Sequence, residues 1–269
     1  MNPTIDLSVI CKIARDAGAE ILDVYASDFD FETKGDGSPL TLADQRANDL
    51  IEARLSALTP DIPILSEETF ERVGDLRLDW PRYWLVDPLD GTKEFIKRNG
   101  EFTVNIALIE NGVSVLGVVY APVLDELYFA SAGQGAFKQQ GSDEVRPIHC
   151  RPLDSNAVKV VASRSHLSEE VKQFVASVES RVRHVELVSM GSSLKLCLVA
   201  DGRADFYPRL GLTSEWDTAA AQCVVEVAGG RVIDCEGAPL RYSKANILNP
   251  WFMVIADPRI TSDCKGIDT

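Results

Sequence analysis

A short acidic segment, residues 87–92, holds the side chains of this chain that are best suited to chemistry. Asp87 and Asp90 stand three residues apart, and Gly91 and Thr92 follow them. Like charges about 4 Å apart repel by about 4 kcal/mol at an effective dielectric near 20, so paired carboxylates favour a cation, and oxygen ligands suit Mg²⁺. The amides of Gly91 and Thr92 are expected to open a short helix, where exposed amides attract phosphate. The segment therefore predicts a metal-assisted phosphate site.

The residues before the acidic segment predict a buried strand that positions it. Tyr83–Val86 is apolar and aromatic, which is typical of a strand interior. Pro88 has no backbone donor and fixes its own φ, so we expect the strand to end there. Asp-Pro and Asp-Gly are also ordinary turn pairs, so a plain turn is the alternative explanation of this segment.

Three further acidic residues fall at the ends of predicted elements and are candidates to join Asp87 and Asp90. Glu67 follows a short predicted strand, Asp44 lies in the first turn of a predicted helix, and Asp217 precedes an alanine-rich helix. Each also has a structural explanation. Asp44 suits the positive end of a helix dipole, Asp217 suits a helix N-cap, and neighbouring glutamates are common on solvated surfaces.

The periodicity of the chain predicts an α/β protein with two sheet-containing halves, residues 1–150 and 151–269. In the first half, amphipathic patterns predict helices over 4–25 and from residue 41 onward. Alternating apolar residues over 102–137, with an Asn-Gly hairpin signal, predict an antiparallel sheet. The second half alternates strands and helices. We expect the first half to carry most acidic candidates, and the second to carry substrate contacts and Asp217.

A glycine- and serine-rich turn in the second half is a second candidate for ligand binding. Gly191 and Ser192 follow a predicted strand, and Lys195 lies in the first turn of the helix after them. A positive charge in a first helical turn opposes the helix dipole, which is more readily explained if an anion binds nearby. A solvated lysine is the alternative.

Composition excludes several classes of function. There are 27 basic and 41 acidic residues, which gives a formal net charge of −14. Such a surface repels nucleic acid and anionic lipid, so we expect no nucleic-acid partner. We expect no integral membrane segment, because the longest apolar run, near 113–124, is too short to cross a bilayer. Six scattered cysteines without paired spacing predict reduced thiols, and the start of the chain shows no export signal, so we expect a cytoplasmic protein.

Taken together, the motifs resemble the inositol monophosphatase superfamily of metal-dependent, lithium-sensitive phosphatases. The resemblance covers nearly the whole chain. It rests on three marks in order, which are Leu65–Glu68, the acidic segment 87–92, and Trp216-Asp217 opening an alanine-rich helix. Lys93-Glu94-Phe95 and the run from Gly191 to Lys195 are most similar to the bacterial 3′(2′),5′-bisphosphate nucleotidases within it. The resemblance implies a layered α/β sandwich with metals between its two halves.

The resemblance also implies roles for the acidic residues. It implies about two or three Mg²⁺ ions per site. Thr92 and Asp44 are implied to act together on the attacking water. The implied metal ligands are four carboxylates and one main-chain carbonyl, from Glu67, Asp87, Asp90, Asp217 and Leu89.

The substrate implied by the resemblance is 3′-phosphoadenosine 5′-phosphate, which would lose its 3′-phosphate to give AMP in sulfur metabolism. The implied substrate contacts come from both halves and are Gly91, Thr92, His166, Gly191, Ser192, Lys195 and Asp217. An inositol phosphatase is expected to carry an acid shortly before the Trp-Asp mark, and none stands between Asp205 and Glu215.

Three alternatives stay open at this point. An inositol monophosphatase-type sugar phosphatase is the second candidate, and a non-catalytic metal- or phosphate-binding relative is the third. The resemblance also leaves open a homodimer and a peripheral position on the cytoplasmic side of the inner membrane.

Overall fold

Two β-sheets, with helices between them and on their outer faces, form the frame of the protein. The structure, a computed structural model, describes residues 5–26, 31–33, 39–162, 168–264 and 266–268. The strands are β1 (Phe31–Thr33), β2 (Pro39–Thr41), β3 (Ile64–Ser66), β4 (Arg82–Asp90), β5 (Thr103–Glu110), β6 (Val113–Ala121), β7 (Glu126–Ser131), β8 (Gly135–Gln140), β9 (Arg146–Pro147), β10 (Val158–Ala162), β11 (Val185–Ser189), β12 (Phe206–Arg209), β13 (Arg231–Asp234), β14 (Phe252–Ile255), β15 (Thr261–Asp263) and β16 (Gly266–Asp268). The helices are α1 (Leu7–Tyr25), α2 (Leu42–Leu58), α3 (Phe70–Val73), α4 (Thr92–Ile96), α5 (Glu169–Glu179), α6 (Leu194–Ala200) and α7 (Trp216–Val227), with 3-10 helices at Glu67–Thr69 and Gly74–Asp79.

The first sheet has the strand order β3-β4-β5-β6-β7-β8-β9 and carries the acidic segment on β4. β3 runs parallel to β4, and the other neighbouring pairs are antiparallel. The predicted antiparallel sheet and its hairpin are confirmed. Asn111 and Gly112 both have positive φ, 50° and 75°, which is the backbone that a tight two-residue hairpin requires.

Strand β4 does not end at Pro88, so that expectation was wrong. Asp87 pairs with Asn105 and Asp90 with Thr103, so Pro88 and Leu89 together lie opposite a single residue of β5. This is a β-bulge, a place where a strand tolerates proline because no ladder amide is needed from it. The bulge lets the strand run on to Asp90, so both aspartates stay in the ladder on either side of Pro88 and Leu89.

The second sheet has the order β11-β10-β12-β14-β13. β10 is parallel to β11 and β12, while β14 is antiparallel to β12 and β13. The predicted strands and helices of this half are present. β12 was not predicted, because Phe206–Arg209 is short and contains a proline.

The elements stack as five layers, helix–sheet–helix–sheet–helix, which confirms the expected layered α/β sandwich. α1 and α2 pack on the outer face of the first sheet. α6 and α7 fill the space between the sheets, and α5 covers the outer face of the second sheet. Gly117 of β6 is needed there, because a Cβ at this position would collide with the main chain of Ala220 in α7. The division at residue 150 stays a prediction.

The helices of the first half agree with expectation to within a few residues. α1 begins at Leu7, where the Asp6 side chain accepts a hydrogen bond from the amide of Ser8 at 2.9 Å and caps the helix. Along the described ranges of the chain, no helix combines the length and the apolar character that crossing a bilayer requires.

The expectation that all cysteines are reduced was wrong for one pair. Cys235 and Cys264 form a disulfide across a separation of 29 residues, with their Cα atoms 5.0 Å apart. The other four, Cys11, Cys150, Cys197 and Cys223, are free. Sequence spacing did not reveal the pair because the two residues are brought together only by the tertiary structure, after β13 and at the end of β15.

Candidate active site

The bulged end of β4 presents Asp87 and Asp90 toward the middle helix layer. Tyr83 and Leu85 of the same strand face that layer, and strand alternation places Asp87 on the same side. Asp87 is 1% exposed and accepts a hydrogen bond at Oδ1 from the amide of Leu89 at 3.1 Å. Asp90, at the end of the strand, is only partly buried. The two carboxylates thus sit at different depths of one site.

The turn after Asp90 requires glycine. Gly91 has φ +100°, and a Cβ there would stand 3.2 Å from the Cβ of Phe102. The amide of Phe95 donates to the carbonyl of Gly91 at 2.9 Å, so α4 starts directly after the acidic turn. Thr92 is its first residue, as predicted, and its side chain is partly buried.

The other three acidic candidates come from three different elements. Asp44 lies in the first turn of α2 and is 2% exposed. Glu67 opens the 3-10 helix after β3, which the hydroxyl of Ser66 caps. The expectation that Asp217 is the N-cap of α7 was wrong. Asp217 is the second helical residue, and its carboxylate accepts the amide of Ser214 at 2.9 Å.

The other four acids all interact electrostatically with Asp87. Burial raises the pKa of Asp87 well above its usual range, and the charges of Glu67, Asp90, Asp217 and Asp44 raise it further. Burial and the charge of Asp90 raise the pKa of Asp217 to about 8. Acids that raise the pKa of one another in this way are poorly stabilised as anions unless a cation joins them.

The chemistry of this donor set suits a hard divalent cation. Asp87, Asp90 and Asp217 each use one carboxylate oxygen to accept main-chain amides, and no described contact engages the other oxygen. Within the described residues, no three Asp, Glu, His or Cys side chains lie close enough together to hold a metal ion as they stand. The donors fit Mg²⁺ in type and number, and an ion would have to draw them closer.

The glycine- and serine-rich turn before α6 lies directly against Asp90. Ser193 donates to Asp90 Oδ2 twice, from its amide at 2.6 Å and from its hydroxyl at 2.8 Å. The hydroxyl oxygens of Ser192 and Thr103 are 3.4 Å apart. Gly191 allows this approach, since a Cβ there would stand 2.6 Å from the carbonyl oxygen of Glu101. The two candidate sites of the sequence therefore form one site.

A cavity of about 500 Å³ opens beside these acids. Asp90 and Asp217 line one part of it. Its wall also carries four cationic side chains, Lys93, Lys97, Lys195 and Arg209. Burial lowers the pKa of Lys195, and the positive charge of Arg209 lowers it further, while the charge of Asp90 opposes the shift. An anion between these cations would relieve their mutual repulsion.

The structure places the predicted site residues differently. Asp90, Asp217, Ser192 and Lys195 line the cavity, while Glu67 and Asp44 do not line it and interact electrostatically with Asp87. The side chain of Leu89 packs in the core between the first sheet and helices α1 and α2, and its main chain lies in the β4 bulge. His166 lies outside the described residues.

Sequence reasoning missed Ser193 as a contact of Asp90, and it missed the cationic wall. Lys93 and Lys97 immediately follow the acidic turn, so their positions were a usable signal. Arg209 gave no signal of its own. It reaches the cavity only because β12, an unpredicted strand, lies inside the second sheet.

Comparison with known proteins identifies relatives over nearly the whole chain. Curated relatives named 3′(2′),5′-bisphosphate nucleotidase CysQ include one from Escherichia coli O157:H7, 49% identical over 252 residues, which cover 92% of this chain and 98% of the relative. One from Buchnera aphidicola is 43% identical over 93% of each chain. The crystal structure of CysQ from Bacteroides thetaiotaomicron superposes with a TM-score of 0.81 at 42% identity, covering 94% of this chain and 98% of the other.

More distant relatives share the fold as well. The extragenic suppressor protein suhB from Bartonella henselae is 28% identical, with a TM-score of 0.73 over 93% of each chain. The family model described as Inositol monophosphatase family matches residues 5–259. This chain belongs to the inositol monophosphatase family.

Proposed function

We propose that this protein is a Mg²⁺-dependent 3′(2′),5′-bisphosphate nucleotidase that hydrolyses the 3′-phosphate of 3′-phosphoadenosine 5′-phosphate to AMP and phosphate. The observation that supports this most is the single cavity that joins a cluster of acids to four cationic side chains. One part suits a cation and the phosphate to be cleaved. The other suits a second phosphate that is retained.

The cationic wall favours a bisphosphate over a monophosphate. Lys195 is held among Arg209, Asp90 and Asp217, and its ammonium lies 5.7 Å from the centre of the Tyr207 ring. A dianionic phosphate there would stabilise the charged form of this lysine and pair with Arg209. A sugar monophosphate would leave these cations without a ligand. The names of the relatives at 43–49% identity agree with this choice of substrate.

Hydrolysis needs a water to be deprotonated close to the phosphate. We assign proton acceptance to Asp44, acting through the hydroxyl of Thr92 at the start of α4. The amides of Gly91 and Thr92 hold the phosphoryl oxygens at the helix start. Asp44 suits this role because it is buried and interacts electrostatically with Asp87.

The family is one of metal-dependent phosphatases, generally with Mg²⁺, and sensitivity to lithium is typical of it. The ligands proposed here are Glu67, Asp87, Asp90, Asp217 and the main-chain carbonyl of Leu89, for about two or three ions. The chemistry that Mg²⁺ supplies when bound is Lewis-acid stabilisation of phosphoryl charge and a lower pKa of water.

The remaining contacts are assigned to the nucleotide. Lys195, Ser192 and the main chain at Gly191 hold the retained phosphate or ribose, and Asp217 also accepts a sugar hydroxyl. His166 is proposed to lie near the nucleotide. The substrate partner is therefore a small phosphorylated nucleotide.

Phosphate release with Mg²⁺ tests this proposal on 3′-phosphoadenosine 5′-phosphate, adenosine 3′-phosphate and inositol 1-phosphate. We expect kcat/KM to be highest for the bisphosphate, by about 100-fold or more over inositol 1-phosphate. Lys195→Met should lower kcat/KM more for the bisphosphate than for adenosine 3′-phosphate. Lys172→Met, on the outer face of α5, is the matched control. A preference for inositol 1-phosphate would instead assign a sugar phosphatase.

A further inference from the structure

A buried chain of polar side chains connects β5 to the acidic cluster. Asn105 stands opposite Asp87 in the β4–β5 ladder and faces the same middle layer. Its Nδ2 donates to the hydroxyl oxygen of Ser193 at 2.9 Å. That hydroxyl lies 2.8 Å from Asp90 Oδ2 and 2.8 Å from the main-chain carbonyl of Asp217. Asn105 and Ser193 are only 1% and 2% exposed, so solvent competes little for these bonds.

The direction of the hydrogen bonds is determined by chemistry. An amide nitrogen of Asn105 can only donate, so the Ser193 oxygen must accept from it. The single hydroxyl proton of Ser193 is then available only toward Asp90 or the carbonyl of Asp217. The amide of Ser193 adds a second donor to the same oxygen of Asp90. Oδ2 of Asp90 thus accepts the amide of Ser193 in either arrangement and shares the hydroxyl proton with the carbonyl of Asp217, so Oδ1 is the oxygen that remains for a cation.

We propose that Ser193, held by Asn105, is a positioning residue. It sets which oxygen of Asp90 faces the cation, and it ties the first turn of α7, which carries Asp217, to the site. This inference rests on the proposed function, since it requires a cation at the acidic cluster. Residues that hold a metal ligand by hydrogen bonding typically change metal affinity by about 10–100-fold when removed.

A second property of Asn105 allows an effect on metal affinity to be distinguished from an effect on folding stability. Its Oδ1 is buried without a hydrogen-bond partner among the described residues. An unsatisfied buried acceptor is unfavourable for folding, so an apolar residue of similar volume should be tolerated well. A purely structural role therefore predicts that Asn105→Leu alters stability alone. The positioning role predicts a loss of metal affinity without a comparable loss of stability.

The test is calorimetric titration of the metal-free protein with MgCl₂, which does not depend on turnover. Ser193→Ala should raise the Kd for Mg²⁺ by about tenfold or more. The matched control is Ser114→Ala, because Ser114 is also buried and its hydroxyl also donates to a carbonyl of α7, that of Ala219, at 2.8 Å. We expect Ser114→Ala to leave the Kd within about twofold. Equal Kd values for wild type and Ser193→Ala would overturn the proposal.

A double-mutant cycle tests the part assigned to Asn105. If Asn105 acts through Ser193, the double variant should bind Mg²⁺ no more weakly than Ser193→Ala alone, and fully additive losses would refute that link. Asn105→Leu also provides a readout if Ser193→Ala does not fold. A wild-type protein that neither binds Mg²⁺ nor releases phosphate would contradict the proposed function itself. Normal binding and turnover in wild type and both variants would contradict only this inference.

Discussion

Two sets of buried acids in this protein differ in what neutralises them. Asp205 and Glu215 are each paired with a cation of the protein itself, whereas Asp87 is surrounded by other acids. Burial does not distinguish the sets, since Asp205 and Asp87 are both 1% exposed and Glu215 is 0% exposed. The two sets differ in the charge of the side chains that surround each acid.

The paired set is fully satisfied by the protein. Glu215 accepts the Lys244 ammonium at 2.6 Å and the amides of Ser243 and Lys244 at 3.0 Å. Asp205 accepts Arg151 Nε at 2.8 Å and the amide of Lys159 at 2.6 Å. Both acids flank the segment 206–214 before α7, so their contacts hold the scaffold around Asp217.

The unpaired set consists of Asp87, Asp90 and Asp217, which accept main-chain amides and form no salt bridge with any described residue. The contrast indicates that, in the part of the chain that the structure describes, a cation contacts the acids that serve structure directly, whereas the unpaired set is left to bind an ion from solution. A buried charge without a partner is strongly unfavourable, so such a cluster is retained only where a ligand compensates it.

The largest expected effect comes from neutralising the unpaired set. Asp90→Asn keeps an acceptor for Ser193 and removes one negative charge, so the fold should stay intact. We expect kcat to fall by about 10³-fold or more, which corresponds to about 4 kcal/mol. Steady-state phosphate release and a thermal melt measure both quantities. Near wild-type turnover would show that Asp90 is not part of the catalytic cluster.

For the paired set we expect the opposite, a loss of stability with little loss of turnover. Glu215→Gln leaves the Lys244 charge half-buried without its anion, so we expect the free energy of unfolding to fall by about 2–3 kcal/mol. Urea unfolding measures this loss. Because Glu215 only supports the scaffold, kcat should change far less than in Asp90→Asn. A loss of turnover without a loss of stability would place Glu215 with the unpaired set.

The smallest effect is a dependence of stability on pH in the metal-free protein. Between 3.8, the ordinary pKa of an aspartate, and about 8, folded Asp217 holds a proton that the unfolded chain has released. The unfolding free energy should therefore fall as pH rises through this window, by about 1–2 kcal/mol from about pH 5.5 to about pH 6.5. Excess Mg²⁺ should flatten the dependence by stabilising the ionised carboxylates. Identical slopes with EDTA and with Mg²⁺ would contradict the account.

Local pattern was sufficient to predict most of the helices and strands, and to nominate Asp87 and Asp90 for chemistry. It failed where the backbone departs from regular geometry. Pro88 was expected to end β4, but a bulge absorbs it, because a bulged residue needs no ladder amide. Asp217 was expected to cap α7, but its carboxylate reaches back to the amide of Ser214.

The contacts that sequence could not supply are long-range ones. The Ser193 bond to Asp90 spans 103 positions in the chain, and no local pattern records it. Arg209 reaches the cavity from an unpredicted strand, and Cys235 meets Cys264 only in the folded chain. These contacts depend on how the two sheets are stacked, which local periodicity does not contain.

The central claim is that the unpaired set, together with Glu67, holds divalent cations, and anomalous diffraction from crystals grown with Mn²⁺ and AMP tests it most directly. The account predicts manganese peaks about 2.1 Å from carboxylate oxygens of Asp87, Asp90, Asp217 and Glu67. Manganese bound elsewhere at saturating concentration, with these four acids facing one another and no ion between them, would contradict it.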